Sequence, residues 1–476
     1  MSSQKDGARP KDGARPSSEE IANKRLERAL KKQKQKADLN QDTASNADKN
    51  KKEIVKETQQ QGFQFLKRQI LRYQDHESLN ENNSTISIAT YNVLAQALIR
   101  RTLFPNSGSA LKWKWRSEVL KQEITLYRPT VLCLQEVDLE FLDKTFIPLL
   151  KHLNYQIHFD RGYGKRHGII VAVQQDLYSI KKTQTLRFDE NEVDGVIPKG
   201  TIKTDNIALI TYCENAIDKS KSLIVATSHL FWHPMGSYER LRQSALLLHH
   251  CFKFRDEVNR DLPIIIAGDF NTEPRDPLYT AMTEKDFEMN EFHKHTLIES
   301  FKYKFKIDEE EGMGAKEEEE KEEEEEEKKK ETETDQKKII NGQLDRPNST
   351  TTTSLDSFQT IKLLLDYFRT LPRLESAYAR SLKDLQPDFA TNKANEPEIT
   401  NLAAHYKECL DYIFVVEDHP NWERTENFHL TKRFRINGLL QMPNRSDLGT
   451  AWEEGLPRDS LFPSDHLCLL AEMTMS

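Results

Sequence analysis

The sequence predicts an α/β fold: two packed sheets with helices outside. Three features point there. Short apolar runs read as buried strands, helical stretches lie between them, and the two do not alternate regularly enough for a doubly wound sheet. The first run, ISIATYNVL, alternates and then turns apolar, so order is expected to begin near Ser84. Further strands are expected at 130–136 (TVLCLQE), 168–173 (GIIVAV), 206–212 (NIALITY), 222–230 (SLIVATSHL), 263–271 (PIIIAGDFN), 410–416 (LDYIFVV) and 466–473 (HLCLLAEM). Helices are expected over Lys112–Tyr127, Leu139–Leu150, Tyr238–Val258, Pro277–Met282 and Ser357–Arg369.

The chain has 476 residues, of which 37% are hydrophobic and 31% charged, too polar for uniform packing. Two segments account for the excess. Residues 1–83 read as a disordered basic tail and linker. They open with two copies of KDGARP, too few for a repeat fold. Residues 19–37 are helix-prone and rich in Lys and Arg but have no strong apolar face. That segment suits RNA or ribosome contact, a nuclear or nucleolar address, or a solubilising tail. The second segment, about 308–353, reads as a disordered acidic insert within a folded domain spanning 84–476. Between Asp308 and Asp335 it holds 17 acidic residues and 5 lysines. Its local charge of −12, taken from the total of −8, leaves the rest of the chain at +4. A mildly basic body accepts a polyanionic substrate.

No apolar run reaches the ~20 residues that span a bilayer, and the N-terminus lacks a signal-peptide core, so no membrane role is expected. The five cysteines form no Cys-x-x-Cys pair and read as buried free thiols.

Polar groups gather at the ends of the apolar strands: Asn92, Glu136, His229, Asp269 with Asn271, Asp411, and Asp465 with His466. A strand ending in a charge as it leaves the core presents that charge at a shared rim. One such residue is ordinarily just solvated. Six strands ending in carboxylate, amide or imidazole suit a hard divalent cation with acid–base groups.

The series YNVLAQ, LQEVD, SHLFW-P, GDFN, TN…LDYIF and SDH resembles the endonuclease/exonuclease/phosphatase superfamily. Within it the match is to carbon-catabolite-repressor-type deadenylases and nocturnin-like nucleases. LAQALIRR, FP-SG and the LKW run look most like the fungal Ngl-type RNA exonucleases. The resemblance covers about Ser84 to Glu472 without the acidic insert.

It implies a four-layer sandwich of two mixed β-sheets flanked by helices, and a Mg²⁺-dependent 3′→5′ RNA exonuclease, with Mn²⁺ as a substitute ion. Glu136 would be the main metal ligand, and Asp465 would take a second metal or a metal-bound water. Asn92 would place Glu136 or the phosphate. Asp269 would orient or deprotonate the attacking water, and Asn271 would point the same way if its strand persists. Gly268 would let the chain approach the site. His466 would bear on the scissile phosphate, held by Asp411, and His229 would meet the phosphate or sugar edge.

Pro234 and Tyr406 occupy the positions that sandwich the 3′ base in deadenylase relatives. The relatives usually carry an acidic residue where this chain has His233, and Gly where it has Glu408, which leaves strict adenine preference open. Trp113, Trp115 and Arg116 read as core anchors of a helix rather than stacking groups. Of Arg240 and Arg242, one is expected toward the substrate and the other in solvent.

The partner implied is a single-stranded RNA 3′ end, with pre-ribosomal particles contacted through the tail. The natural work implied is ribosomal RNA processing, notably the 5.8S 3′ end. A poly(A)-specific deadenylase and a small-molecule phosphatase on the same fold are the alternatives. A cytoplasmic location, with nuclear or nucleolar import open, is the expectation.

Overall fold

The computed structural model describes residues 64–74, 85–200, 202–284, 286–303, 354–390, 392–417 and 434–475. The basic tail up to residue 63 and the acidic insert lie outside them.

Two mixed sheets form the centre. The first has seven strands in the order β1-β14-β15-β2-β3-β5-β4. These are β1 (Ile70–Arg72), β2 (Thr85–Asn92), β3 (Val131–Asp138), β4 (Tyr155–Asp160), β5 (His167–Gln174), β14 (Phe434–Leu440) and β15 (Leu469–Met475). The second has six, in the order β10-β13-β9-β8-β7-β6. These are β6 (Tyr178–Arg187), β7 (Ile207–Asn215), β8 (Leu223–Ser228), β9 (Ile264–Asp269), β10 (Arg373–Ser376) and β13 (Asp411–Glu417). A separate hairpin joins β11 (Asn401–Ala403) to β12 (Tyr406–Glu408). Each sheet contains one parallel pair, β2 with β3 and β8 with β9, among antiparallel neighbours.

Alternation along the strands builds the layers. In β2, Ile86 and Ile88 enter the core between the sheets, which also takes Val131, Val225, Ile265 and Ile413. Ala89 and Tyr91, on the opposite face, pack with Leu120 and Ile124 of α1 (Trp113–Tyr127). The same layer takes Phe146 and Leu150, on a helical run in which α2 (Leu139–Phe141) passes through a π turn into α3 (Ile147–His152). Outside the second sheet, Ile224 and Ala226 of β8 meet Leu241 and Ala245 of α4 (Ser237–Val258). That layer is completed by α5 (Pro277–Thr283), α6 (Glu291–Lys302) and α7 (Ser354–Thr370). The expected four-layer α/β sandwich is therefore the observed architecture. All five cysteines are free and buried.

The folded body begins at Gln64, earlier than the expected Ser84. Phe65 and Arg68 are buried, and β1 pairs antiparallel with β14. The Arg68 guanidinium donates to the Cys468 carbonyl at 2.8 Å and reaches Glu123 at 3.5 Å. A three-residue strand is too short to leave a periodic signal, and its anchor is a buried cation.

Candidate active site

In a regular strand Glu136 would share the outer face with Leu132 and Leu134, but β3 bulges there. Leu134 pairs with Ile170 and Val137 with Gly168, so β3 holds one residue more than β5 between those pairs. Glu136 takes the extra turn with φ of 57°. A bulge of this kind re-aims a side chain. Gln135 points into the sandwich, where its Nε2 donates to Thr227 Oγ1 at 3.0 Å and ties the two sheets together. Glu136 points to the cleft.

Asn92, the last residue of β2, is the hub. Its Nδ2 donates to Glu136 Oε1 and to Asp269 Oδ2, each at 2.9 Å. It also lies 3.5 Å from His466 Nε2. Its own Oδ1 accepts from the Leu94 amide at 3.0 Å, which fixes the rotamer. Glu136 Oε2 accepts from the Ala95 amide at 2.9 Å. Burial raises the Glu136 pKa, but the His229 and His167 rings and these hydrogen bonds outweigh it and hold the carboxyl below its ordinary value.

Asp269 ends β9, and His229 follows β8 and bridges to it. The His229 ring reaches both sheets, with Nε2 3.5 Å from Asp269 Oδ2 and Nδ1 4.0 Å from Glu136 Oε1. Gly268 permits a close approach, but of strand to strand: a Cβ there would stand 2.3 Å from the Ser228 carbonyl of β8.

His466 comes from the loop before β15, and Asp411 opens β13. His466 Nδ1 and Asp411 Oδ2 are 2.8 Å apart, so Nδ1 carries the hydrogen and Nε2 faces Asp269 Oδ2 at 3.6 Å. Burial opposes the imidazolium, yet Asp411 and Asp269 outweigh it and lift His466 well above its ordinary pKa. Asp411 itself is raised, by burial first. Its Oδ2 also accepts from Thr400 Oγ1 at 2.7 Å, while its buried Oδ1 has no partner.

The hairpin locks these two loops together. Leu402 donates to the Asp465 carbonyl and Leu467 donates to the Thr400 carbonyl, both at 2.7 Å. Behind them, the fully buried Arg116 donates through Nε to the Pro463 carbonyl and through Nη2 to the carbonyls of Val93 and Leu94. One guanidinium thus braces both the Asn92 and His466 loops. Trp113 stacks on Phe141 at 4.1 Å, the anchoring role expected of that helix.

Among the described residues, the ligand-type side chains gathered within 4.8 Å of one another are Asp269, Asp411 and His466. The His466–Asp411 hydrogen bond makes that trio an acid–base unit. Glu136 and Asp465 are the all-oxygen set. Asp465 is raised by burial, and Glu136 adds to the rise. Both offer only carboxylate oxygens, the donors a hard cation takes, so the residues fit Mg²⁺.

Six of the expected residues therefore meet: Asn92, Glu136, His229, Asp269, Asp411 and His466. Asp465 stands beside them, half-buried, with Oδ2 3.4 Å from Asn401 Nδ2. Asn271 departs from expectation. The strand ends at Asp269, Asn271 has φ of 47°, and its Nδ2 donates to the Leu230 carbonyl at 3.0 Å. Its backbone amide serves instead, donating to Asp269 Oδ1 at 2.9 Å.

Pro234 is exposed on the turn before α4, and Tyr406 is 42% exposed with its hydroxyl donating to Glu273 Oε1 at 2.9 Å. Arg240 and Arg242 are both buried, contrary to the expected split. Arg240 donates to the carbonyls of Phe231 and His233, fixing the Pro234 turn. Arg242 donates to the Phe188 carbonyl and pairs with Glu239. Three contributors escaped sequence reasoning: Thr400, Ser464 and His167. Ser464 Oγ donates to the Asn92 carbonyl and accepts from the His466 amide. His167, directly before GIIVAV, has its ring centre 6.3 Å from that of His229, and burial pushes it down to about 4.

The family model described as Endonuclease/Exonuclease/phosphatase matches residues 89–466. A probable RNA exonuclease of Schizosaccharomyces pombe is 34% identical over 421 residues, covering 86% of this chain and 80% of that protein. The RNA exonuclease NGL2 of Saccharomyces cerevisiae is 28% identical over 439 residues, covering 86% and 82%. The crystal structure of ANGEL2, a 2′,3′-cyclic phosphatase, in complex with adenosine-2′,3′-vanadate shares the fold. It superposes with a TM-score of 0.56 at 20% identity, covering 86% of this chain and 99% of that one.

Proposed function

Because the chain belongs to the endonuclease/exonuclease/phosphatase family, we propose that it is a Mg²⁺-dependent 3′→5′ RNA exonuclease releasing nucleoside 5′-monophosphates. The observation that carries this reading is the single Asn92 amide that bonds Glu136 and Asp269 at once, from different sheets. It draws a metal-type carboxylate and a base to within one phosphate of each other.

Glu136, with Asp465 beside it, would hold the ion, which supplies charge neutralisation at the phosphate. Asp269 takes the proton of the attacking water, its carboxylate aligned by Asn92 and the Asn271 amide. The water oxygen bonds to phosphorus, the bond to the 3′-oxygen of the preceding nucleotide breaks, and that oxygen takes up a proton from solvent to become the new 3′-hydroxyl. His466, held cationic by Asp411, stabilises the charge that builds on the phosphoryl oxygens. His229 lies between Glu136 and Asp269 and meets the phosphate from the other side.

We assign its natural work to ribosomal RNA 3′-end processing, notably the 5.8S end, in the cytoplasm, nucleus or nucleolus. The basic stretch 19–37 supports contact with pre-ribosomal particles.

The test is incubation of the full chain with 5′-labelled single-stranded RNA. Stepwise shortening from the 3′ end is expected, with 5′-monophosphates released, lost in EDTA and restored by Mg²⁺ or Mn²⁺. Inorganic phosphate released from small phosphates without RNA shortening would replace this reading with a phosphatase. Accumulation of 3′-extended 5.8S RNA in cells lacking the protein checks the natural substrate.

A further inference from the structure

The loop that carries Asp465 and His466 runs from Leu461 to Cys468, directly before β15. Both of its ends are held by residues 66–68, at the other end of the folded body. The Leu66 amide donates to the Leu461 carbonyl at 3.0 Å. Arg68 Nη2 donates to the Cys468 carbonyl at 2.8 Å, and the centre of its guanidinium lies 5.3 Å from the centre of the Phe462 ring. This N-terminal strap is itself fixed to α1 and to the first sheet. The Arg68 amide donates to the Tyr127 hydroxyl at 3.0 Å, and the Gln69 carbonyl accepts from the Gln441 amide at 2.8 Å. β1 then follows on the β14 edge.

The choice of residue is informative. Arg68 is 6% exposed, and its Nη2 stands 3.5 Å from Glu123 Oε1. A buried ion pair is a poor anchor for a strap, because apolar side chains of similar volume would hold it as well or better. What a guanidinium adds is a rigid fork of N–H donors aimed at fixed acceptors. Its bond to Cys468 is shorter than its approach to Glu123 or to the Gln441 carbonyl at 3.4 Å. The directed part of the residue is thus spent on the loop, two residues from His466. The family match begins at residue 89, so this hold comes from outside the matched span.

We propose that Arg68 is a positioning residue of the active site: by holding the Cys468 carbonyl it sets where the His466 imidazole stands against Asp411 and Asp269. The proposal rests on the exonuclease reading, in which His466 acts at the phosphate, and deepens it by adding the strap before β2 to the parts that place that ring.

Two variants of the full chain separate positioning from stability. Glu123→Gln breaks the ion pair and leaves the bond to Cys468. Arg68→Met combined with Glu123→Gln removes that bond but leaves no unpaired buried charge. Tm is expected to fall further in Glu123→Gln. In contrast, kcat on single-stranded RNA with Mg²⁺ falls about tenfold in the double variant alone, with KM held, since a small misplacement of a reacting group acts on turnover. The low-field proton signal of His466 Nδ1, identified by its loss in His466→Ala, weakens in the double variant and persists in Glu123→Gln. Should Met not be tolerated, Arg68→Gln with Glu123→Gln takes its place: two amides, with the side chain at position 68 too short to reach the Cys468 carbonyl. Wild-type kcat in the double variant, a loss confined to KM, or a kcat that tracks Tm across the set overturns the proposal. A wild type that cuts no RNA removes the exonuclease reading, and the proton signal then decides the positioning alone: unchanged in the double variant, it overturns that too.

Discussion

The two sheets supply the site in equal shares, and their shares are complementary. In the first sheet the parallel pair β2–β3 gives Asn92 and Glu136, and β15, antiparallel to β2, is preceded by His466. In the second the parallel pair β9–β8 gives Asp269 and His229, and β13, antiparallel to β9, starts with Asp411. Position for position, Asn92 corresponds to Asp269, Glu136 to His229, and His466 to Asp411. Each residue lies against its counterpart: 2.9 Å for the first pair, 4.0 Å for the second and 2.8 Å for the third. In the first and third pairs a donor on the first sheet meets an acceptor on the second. The same scaffold position thus carries opposite chemistry in the two halves, and neither half has a working set alone.

The largest effect comes from removing one carboxylate from either half. Glu136→Ala and Asp269→Ala should each lower kcat by about 10³-fold with little change in Tm, because neither belongs to the apolar core. If one sheet's variant kept most of its activity, the halves would not be equal partners. Asp411→Asn keeps the hydrogen-bonding shape but removes the charge that holds His466 cationic. A loss in kcat of about 10²-fold is expected, with KM for RNA little changed.

Both halves bury a carboxyl that burial raises above its ordinary pKa, and they differ in what partners it. The buried Glu123 beside the first sheet has Arg68 at 3.5 Å and the Tyr91 hydroxyl at 2.9 Å. Beside the second sheet, buried Glu396 has the Tyr279 hydroxyl at 2.8 Å, and its Oε2 has no partner. Burial lifts Glu396 from 4.5 to about 7. A carboxyl whose folded pKa is raised favours folding while protonated, so that stability is full below about 4.5 and is lost as pH climbs toward 7. Glu396→Gln should therefore raise Tm at pH 8, by up to about 3 kcal/mol of stability, and do little at pH 4. A pH-independent effect would mean the carboxyl titrates normally. The smallest expected change is Gln135→Ala, which cuts the bond to Thr227 between the sheets. It should cost about 1–2 kcal/mol in urea unfolding, with kcat within a fewfold of wild type.

The same division governs what could be read beforehand. The apolar runs marked β2, β3, β5 and β15 in one sheet and β7, β8, β9 and β13 in the other, because interior strands are buried on both faces. The edges escaped. In β6, YSIKKTQTLR is lysine-rich and half-solvated, the usual guise of an edge strand, and β1 and β10 are only 3 and 4 residues long. The site residues were legible because each closes or opens an interior run. What could not be read was local turning: Asn271 leaves the strand line through a positive φ, and Arg240 and Arg242 reach carbonyls that only the folded loops bring near. The supports Thr400 and Ser464 are short hydroxyls whose importance depends on a neighbour far away in sequence.

The bulge in β3 carries a cost for the whole molecule. A residue with a side chain at φ of 57° gives up on the order of 1 kcal/mol that glycine would not. The protein thus trades robustness for reactivity at Glu136, and Glu136→Gly is expected to melt above Glu136→Ala while being just as inactive. A glycine variant sturdier than the alanine one, both wholly without turnover, would mark the spot where selection has preferred work over endurance.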